Sequence, residues 1–113
     1  MALNIQVFGT KKCQDTRKTE RYFKERRIAY HFIDLNIRGL SKGELRAVAQ
    51  AVGGVEKLAD ASGKEAARLN LRYILHNIEE KLLEHPLLLK TPVVRNGAKA
   101  TVGYCPEVWQ TLQ

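Results

Sequence analysis

Residues 4–18 read NIQVFGTKKCQDTRK and place a cysteine between a predicted strand and a predicted helix. The segment 4–9 alternates apolar and polar side chains, as strands do, and ends at a glycine. From Asp15 onward the sequence DTRKTERYFKERR contains good helix formers, with Asp15 or Thr16 available as the N-cap. The β-rich segment 28–33 comes next. This order predicts a βαβ unit with two parallel strands and the cysteine in its first loop.

The middle of the chain is predicted to be helical. Residues 41–52 begin with the capping box SKGE and carry apolar side chains at helical spacing, and two glycines follow them. The segments 55–61 and 65–75 are predicted as further helical pieces. Residues 77–85 form another, which ends before Pro86 because proline cannot continue a helix.

The C-terminal part of the sequence predicts a hairpin followed by a short helix. Two short strands, 91–95 and 100–103, flank an Asn-Gly turn at 96–97. Pro106 stands at the first position of a closing helix. Trp109 in that helix is expected to pack in the core rather than to bind a ligand.

Length and composition indicate a single domain over residues 1–113, because this length supports one hydrophobic core and not two. Apolar residues make up 44% and are interrupted by charges at short intervals, which argues against disorder and a membrane span. No basic and apolar leader is visible, so we expect a cytoplasmic protein, and we expect it to be a monomer. The net charge of +7 is dispersed as on solvated helices, so direct nucleic-acid binding is not predicted.

The spacing of cysteines and histidines predicts no metal site. Two cysteines do not make a disulfide framework, and the three histidines lie far in sequence from Cys13. We therefore predict neither a metal nor a bound cofactor.

Cys13 is the residue around which chemistry is predicted. Backbone N–H groups and the positive end of the helix dipole favour a thiolate at a helix start, and Lys12 and Arg17 add positive charge. The same loop could hold an anion through its amides and the Arg17 guanidinium. The alternatives are a buried, inert cysteine and an arginine that is merely solvated, and the residues alone leave both open.

Two well-known cysteine motifs are excluded by spacing. The phosphatase loop would need an arginine at position 19, which is Thr19. The dithiol motif would need a second cysteine at position 16, which is Thr16. No second thiol therefore lies one helical turn after Cys13.

Three segments resemble the arsenate reductase family, in sequence and in order. They are CQDTRK at 13–18, EHPLLL at 84–89 followed by TPVV at 91–94, and VGYCPE at 102–107. This family includes glutathione-dependent arsenate reductases and the Spx regulators of RNA polymerase. The resemblance covers essentially the whole chain and implies an α/β, thioredoxin-like (glutaredoxin-like) fold. In that fold a mixed four-stranded sheet carries a helical insertion, at about 41–85, between the second strand and the C-terminal β-hairpin.

The resemblance also implies a set of site residues. Cys13 would be the nucleophile with Arg17 beside it, and the Thr91–Pro92 bond would be cis and would face the cysteine. The predicted substrate contacts are Lys12, Thr16, Thr91, Pro92 and Tyr104. Cys105 would stand near the active thiol as a candidate resolving thiol, or would be only a small residue before the last helix.

Reductases of the family use three later arginines, and other residues stand at the corresponding positions of this sequence. These residues are Asp60 or Ser62, Thr91, and Tyr104. Without the arginines an oxyanion loses several charge-assisted hydrogen bonds, each worth about 1.5–3 kcal/mol. Arsenate is therefore not the predicted substrate, although an arginine from elsewhere could substitute; the candidates are Arg68, Arg72 and Arg95.

The predicted function is a thiol-dependent reductase with one nucleophilic cysteine and with glutathione or glutaredoxin as the reductant. The alternative is a non-catalytic, Spx-like regulator that binds RNA polymerase or another protein. Thr16 argues against this alternative, because it replaces the second cysteine of the regulators' redox switch. A third hypothesis is a stable domain that has lost its ancestral activity.

Overall fold

The computed structural model describes residues 5–60, 64–68, 78–97 and 99–110. The elements are β1 (Ile5–Gly9), α1 (Gln14–Glu25), β2 (His31–Asp34), α2 (Lys42–Val52), α3 (Lys64–Arg68), α4 (Ile78–Glu84), β3 (Val93–Asn96), β4 (Lys99–Val102) and α5 (Pro106–Trp109). Short 3₁₀ helices cover Val55–Leu58 and Pro86–Leu88. None of the helices in these residue ranges is long and apolar enough to cross a membrane.

The four strands form one mixed sheet in the order β2-β1-β3-β4. β1 and β2 are parallel, with Phe8 opposite Ile33, and α1 connects them as the sequence predicts. β1 pairs with β3 and β3 with β4 in antiparallel fashion. Helices α2, α3 and α4 lie between β2 and the C-terminal hairpin, so the thioredoxin-like architecture with a helical insertion is confirmed.

The two faces of the sheet carry separate apolar cores. Side chains alternate between the faces, so Val7 and Val94 point into one core and Phe8 and Val93 into the other. The smaller core joins α1 and α5 to the sheet and comprises Ile5, Val7, Tyr22, Phe23, Val94 and Trp109. The larger core joins the helical insertion to the sheet and comprises Phe8, Leu35, Leu40, Leu45, Val48, Leu58, Ala66, Leu82, Leu88, Leu89 and Val93.

Trp109 is fully buried, which confirms its predicted place in the core. Its indole N–H donates to the Thr101 hydroxyl at 2.8 Å, so the buried polar atom of the ring is satisfied.

The start of α1 differs from the prediction. The helix begins at Gln14 with Cys13 as its N-cap residue, so neither Asp15 nor Thr16 is the cap. The cap makes no side-chain hydrogen bond, and the backbone alone forms the first turn, with the Arg17 N–H donating to the Cys13 carbonyl at 3.1 Å. Thr16 therefore lies inside the helix, where its side chain is buried.

The second strand starts later than predicted, at His31 instead of residue 28. Arg27 has a φ of 57° after the end of α1, and the Ile28 N–H donates to the Phe23 carbonyl at 2.9 Å. This is a Schellman motif with arginine in the left-handed position. It uses residues 26–28 to close the helix, so they cannot belong to the strand.

The insertion follows the predicted pattern with shorter helices. The capping box of Ser41 and Glu44 and the left-handed Gly53 after α2 are both present, as predicted. Of the described residues 55–60 in the predicted helical segment 55–61, only Val55–Leu58 are helical, and they form a 3₁₀ turn. Residues 69–75 and residue 77 lie outside the described residues, so these parts of the predicted helices stay a prediction.

The C-terminal hairpin is confirmed, but its strands run over Val93–Asn96 and Lys99–Val102 instead of 91–95 and 100–103. Asn96 pairs with Lys99, so it belongs to β3 instead of the turn, and Gly97 with its φ of 64° follows it. Glycine is favoured at this position because a side chain strains a left-handed backbone. Pro106 occupies the first turn of α5, as predicted.

Candidate functional site

Cys13 lies between the end of β1 and the start of α1. β1 ends at Gly9, and a tight turn follows in which the Cys13 N–H donates to the Thr10 carbonyl at 3.1 Å. Cys13 is partly buried and is not in a disulfide. The first free N–H groups of α1 therefore surround its thiol.

The turn is tight because Gly9 and Thr16 touch. A Cβ atom at Gly9 would come within 2.7 Å of the Thr16 Cγ2, a distance that side chains do not tolerate. Glycine at this position lets α1 pack directly on the end of β1. This contact fixes the helix start, and with it Cys13, against the sheet.

Thr91 provides the direct hydrogen bond to the cysteine sulfur. Its hydroxyl donates to Cys13 Sγ at 3.1 Å, and the thiol itself points to the Thr91 carbonyl at 3.9 Å. Thr91 precedes Pro92 through a cis peptide bond, as the family resemblance implies. The Pro92 carbonyl in turn accepts from the Gly103 N–H at 2.8 Å, which ties this loop to the end of the hairpin.

The surroundings of Cys13 lower its pKa from the ordinary thiol value. Burial alone raises the pKa, because it disfavours the charged form. The Thr16 and Thr91 hydroxyls and the backbone N–H groups of Thr16 and Asp15 outweigh burial, because each hydrogen bond favours the thiolate. These neutral donors stabilise the thiolate.

Thr16 has a special position among these donors. Its hydroxyl oxygen is fully buried and has no hydrogen-bond partner of standard geometry. The same hydroxyl acts on the Cys13 sulfur, where it lowers the pKa. A buried hydroxyl without a partner costs free energy, so Thr16 is satisfied best when Cys13 carries its negative charge.

Cys13 opens into a cleft of about 490 Å³. The cleft is lined by Thr10, Lys12, Cys13, Asn36, Asp60, Lys64, Glu65, Arg68, Leu87, Leu89 and Thr91. It contains three cationic side chains and two carboxylates, beside an apolar wall of two leucines. The cleft can therefore hold a ligand that carries both a charged and an apolar group.

Arg68 and Glu65 form a bidentate pair at the edge of this cleft. The Arg68 Nε lies 2.6 Å from one oxygen of Glu65, and the second guanidinium nitrogen donates to the other oxygen at 3.2 Å. The Arg68 hydrogen bonds hold the pKa of Glu65 below its usual range, although burial opposes this effect, and the charges of Arg68 and His85 add to it. The guanidinium is therefore held by a carboxylate that stays ionised.

Several residues predicted for the site lie in the Cys13 cleft, and others do not. Lys12 and Thr91 line the cleft, and Thr16 lies directly behind the sulfur. Arg17 is exposed and lines shallow depressions with other polar residues of α1, apart from Cys13. Tyr104 packs edge-on against Trp109 and lines a separate depression with Tyr22 and Pro106.

The substitute arginines are also placed differently. Arg95 donates to Gln6 on the neighbouring strand at 2.9 Å and to the Gly97 carbonyl at 3.0 Å, away from the cleft. Ser62 and Arg72 lie outside the described residues. Sequence reasoning named Arg68 only as one possible substitute and missed Lys64 and Glu65. The spacing of Glu65 and Arg68, three residues apart on a helix, was the available signal.

Cys105 has surroundings unlike those of Cys13. Its thiol donates to the Val102 carbonyl at 3.4 Å, and its side chain packs against the smaller core. Burial, together with the nearby Glu107 charge, raises the pKa of Cys105, so it is the less reactive thiol. Both cysteines are free, and the role of Cys105 as a resolving thiol stays a prediction.

Comparison with known proteins identifies the family. Residues 8–112 match the family model of the ArsC family. The chain belongs to the ArsC family. Among its relatives is the global transcriptional regulator Spx 2 of Oceanobacillus iheyensis, which is 29% identical over 106 residues, or 90% of this chain and 78% of that protein.

Solved structures of similar proteins show the same fold. An arsenate reductase from Vibrio cholerae superposes with a TM-score of 0.83 at 23% identity, covering 100% of both chains. A protein from Bacteroides fragilis related to the ArsC family superposes with a TM-score of 0.86, also at 23% identity and with 100% coverage of both chains. The family and the thioredoxin-like fold that the sequence predicts are therefore confirmed.

Proposed function

We propose that this ArsC family member is a thiol-dependent oxidoreductase that uses Cys13 as its single nucleophile. The observation that carries the proposal is the set of hydrogen-bond donors at the Cys13 sulfur, which lowers the pKa of the thiol where it opens onto a charged cleft. A thiolate near neutral pH is the reactive form of cysteine. Glutathione, or glutaredoxin, is the proposed reductant.

The reaction needs one cysteine and balances in two exchange steps. The Cys13 thiolate attacks the glutathione sulfur of a mixed disulfide, so a Cys13–glutathione bond forms while the substrate's S–S bond breaks. The substrate leaves as a thiolate and takes a proton from water. A second glutathione thiolate then attacks the Cys13 adduct, releases Cys13 as a thiolate, and leaves as glutathione disulfide.

The surroundings of the sulfur favour a disulfide over an oxyanion substrate. Thr91 and Tyr104 stand where reductases of the family carry arginine, and neither provides a cation. The hydrogen bonds to Cys13 come from hydroxyls and amides, and the three cationic side chains of the cleft share it with the carboxylates of Asp60 and Glu65, so little net positive charge is left for a doubly charged ligand. We therefore expect arsenate reduction to be weak or absent.

The test is adduct formation followed by turnover. Wild-type protein and the Cys13→Ser and Cys105→Ser variants are incubated with glutathione disulfide and read by mass spectrometry of the intact chain. We expect one glutathionyl adduct in wild type and in Cys105→Ser, and none in Cys13→Ser. Turnover is then followed with a glutathionylated peptide and excess glutathione. An adduct on Cys105 alone, or none at all, would refute the proposal.

The second candidate is a regulator that binds RNA polymerase, and the similarity to an Spx regulator over 90% of this chain favours it. Its test is equilibrium binding of the chain to purified RNA polymerase, with Cys13→Ser included. Binding without turnover would support the regulator and leave Cys13 as a sensor or a relic. Both candidates suit the cytoplasm, where a reducing environment keeps the two thiols free.

A further inference from the structure

The charges of the Cys13 cleft come from two different parts of the chain. Lys12 belongs to the loop that carries the cysteine, whereas Lys64 and Arg68 belong to α3 in the helical insertion. Arg68 differs from the two lysines because an ion pair holds it. Lysine offers only a mobile point charge, but arginine offers a planar fork that matches a carboxylate.

The geometry of the pair leaves Arg68 able to bind a further anion. Glu65 accepts from the Nε and from one terminal nitrogen of the Arg68 guanidinium. The guanidinium has five N–H donors, so the others are not bonded to Glu65. The Glu65 side chain is 15% exposed and that of Arg68 is 65% exposed. A partly buried carboxylate therefore holds an exposed guanidinium, which reduces the conformational entropy that binding would cost.

The base of α3 is also fixed. Ala66 is fully buried in the larger core, between the two members of the ion pair in sequence. Arg68 is thus presented to the cleft by an element that packs on the larger core. By contrast, Arg17 makes no ion pair among the described residues, is exposed, and faces depressions that do not include Cys13.

We infer that Arg68, held by Glu65, binds a carboxylate of the disulfide that approaches Cys13 and so determines which disulfides react. The inference rests on the proposed function in taking a disulfide as the substrate. It assigns the predicted anion-binding role to Arg68 instead of Arg17. The ligand class is a small disulfide that carries a carboxylate within reach of the cleft.

Two alkylating reagents test the charge recognition without relying on reductase activity. Iodoacetate carries a carboxylate and iodoacetamide is its neutral analogue, and both react with the thiolate. The ratio of their rate constants at Cys13 therefore cancels any change in the thiolate fraction. Arg68→Gln is expected to lower the iodoacetate-to-iodoacetamide ratio about threefold, an effect that added salt weakens.

The matched control is Arg46→Gln, which removes another exposed arginine that is paired with a glutamate, Glu79, at 2.8 Å. Arg46 lies on α2 and does not line the cleft, so its loss should leave the ratio unchanged. A fall of the ratio in Arg17→Gln but not in Arg68→Gln would overturn the inference. Thermal unfolding of each variant excludes misfolding as the cause.

A double variant distinguishes binding by the Arg68 guanidinium from an effect of the net charge of the cleft. Glu65→Gln combined with Arg68→Gln restores the net charge of the cleft but removes the guanidinium. We expect the ratio to stay low. A return to the wild-type ratio would show that only the field of the cleft matters, and Arg68 would not be a binding residue.

Disulfides of known charge extend the test to the substrate class. Dithiodipropionate carries carboxylates and cystamine carries ammonium groups. Arg68→Gln should slow the reaction of Cys13 with dithiodipropionate about threefold and leave or increase that with cystamine. If the alkylation ratio falls and glutathione turnover is absent, the carboxylate-binding role of Arg68 stands and the proposed function fails. If turnover occurs and Arg68→Gln changes neither the alkylation ratio nor the disulfide rates, the proposed function stands and the inference fails.

Discussion

Replacing Thr91 with valine should make Cys13 a weaker nucleophile near neutral pH. The substitution keeps the shape of the side chain and removes only the hydroxyl that donates to Cys13 Sγ at 3.1 Å. This hydrogen bond favours the thiolate, so its loss raises the pKa of Cys13. The backbone carbonyl of residue 91, which accepts from the thiol, remains.

The magnitude follows from the strength of the lost hydrogen bond. A hydrogen bond to a charged group contributes about 1.5–3 kcal/mol. Because Cys13 is only partly buried, solvent competes with the hydroxyl, so we expect the thiolate to lose about 1 kcal/mol of stabilisation. This corresponds to a roughly fivefold smaller thiolate fraction well below the thiol pKa, since 1.4 kcal/mol is tenfold.

The assay is the pH profile of iodoacetamide alkylation at Cys13, read by mass spectrometry on a Cys105→Ser background. Thr91→Val should react roughly fivefold more slowly near neutral pH and should reach a plateau within about twofold of wild type at high pH. Thr19→Val is the matched control, because it removes a buried hydroxyl of α1 that bonds the Asp15 carbonyl at 2.7 Å. Equal profiles for Thr91→Val and wild type would refute the hydrogen-bond account of the lowered pKa.

Three further predictions concern the same site. Thr16→Val should slow alkylation near neutral pH and yet raise the free energy of unfolding by about 1 kcal/mol in urea at mildly acidic pH, because it removes a buried hydroxyl without a partner. Gly9→Ala should destabilise the chain by about 1–3 kcal/mol in the same assay, because its methyl group would press on Thr16. The free energy of unfolding of wild type minus that of Cys13→Ser should increase as pH rises. The pKa of Cys13 is lower in the folded chain than in the unfolded chain, so the stabilisation is complete above the unfolded pKa of about 8.5 and is lost as pH falls through the folded pKa. The same difference for Cys105→Ser should decrease as pH rises, because burial and Glu107 raise the pKa of Cys105 and its stabilisation is lost as pH rises. If both differences changed with pH in the same direction, these assignments would be wrong.

The fold was predictable because its signals are local. The alternation of β1, the capping box at Ser41, the Gly97 turn and Pro106 each mark an element by a pattern of neighbouring residues, and the structure has an element at each. Boundaries were less predictable where the backbone alone decides them. The left-handed Arg27 closes α1 without glycine, and no sequence rule marks it.

The candidate site was predictable in the residues close to its nucleophile. Cys13 follows from its place between a strand and a helix, and Thr91 from the family resemblance. The role of Thr16 depends on whether its side chain points inward, and the sequence left open whether Asp15 or Thr16 was the N-cap. Arg68 reaches the cleft because α3 packs on the larger core through Ala66, a tertiary contact over some 55 residues of chain that no local pattern encodes.

The two cores on opposite faces of the sheet let reactivity and selectivity change separately. The helix that sets the acidity of the thiol is anchored by Tyr22 and Phe23 in the smaller core. The helix that carries Arg68 is anchored in the larger core. Substitutions in the insertion can therefore exchange the charges that meet a substrate while the nucleophile keeps its hydrogen bonds. Such a division allows one scaffold to diversify its substrates without rebuilding its chemistry each time.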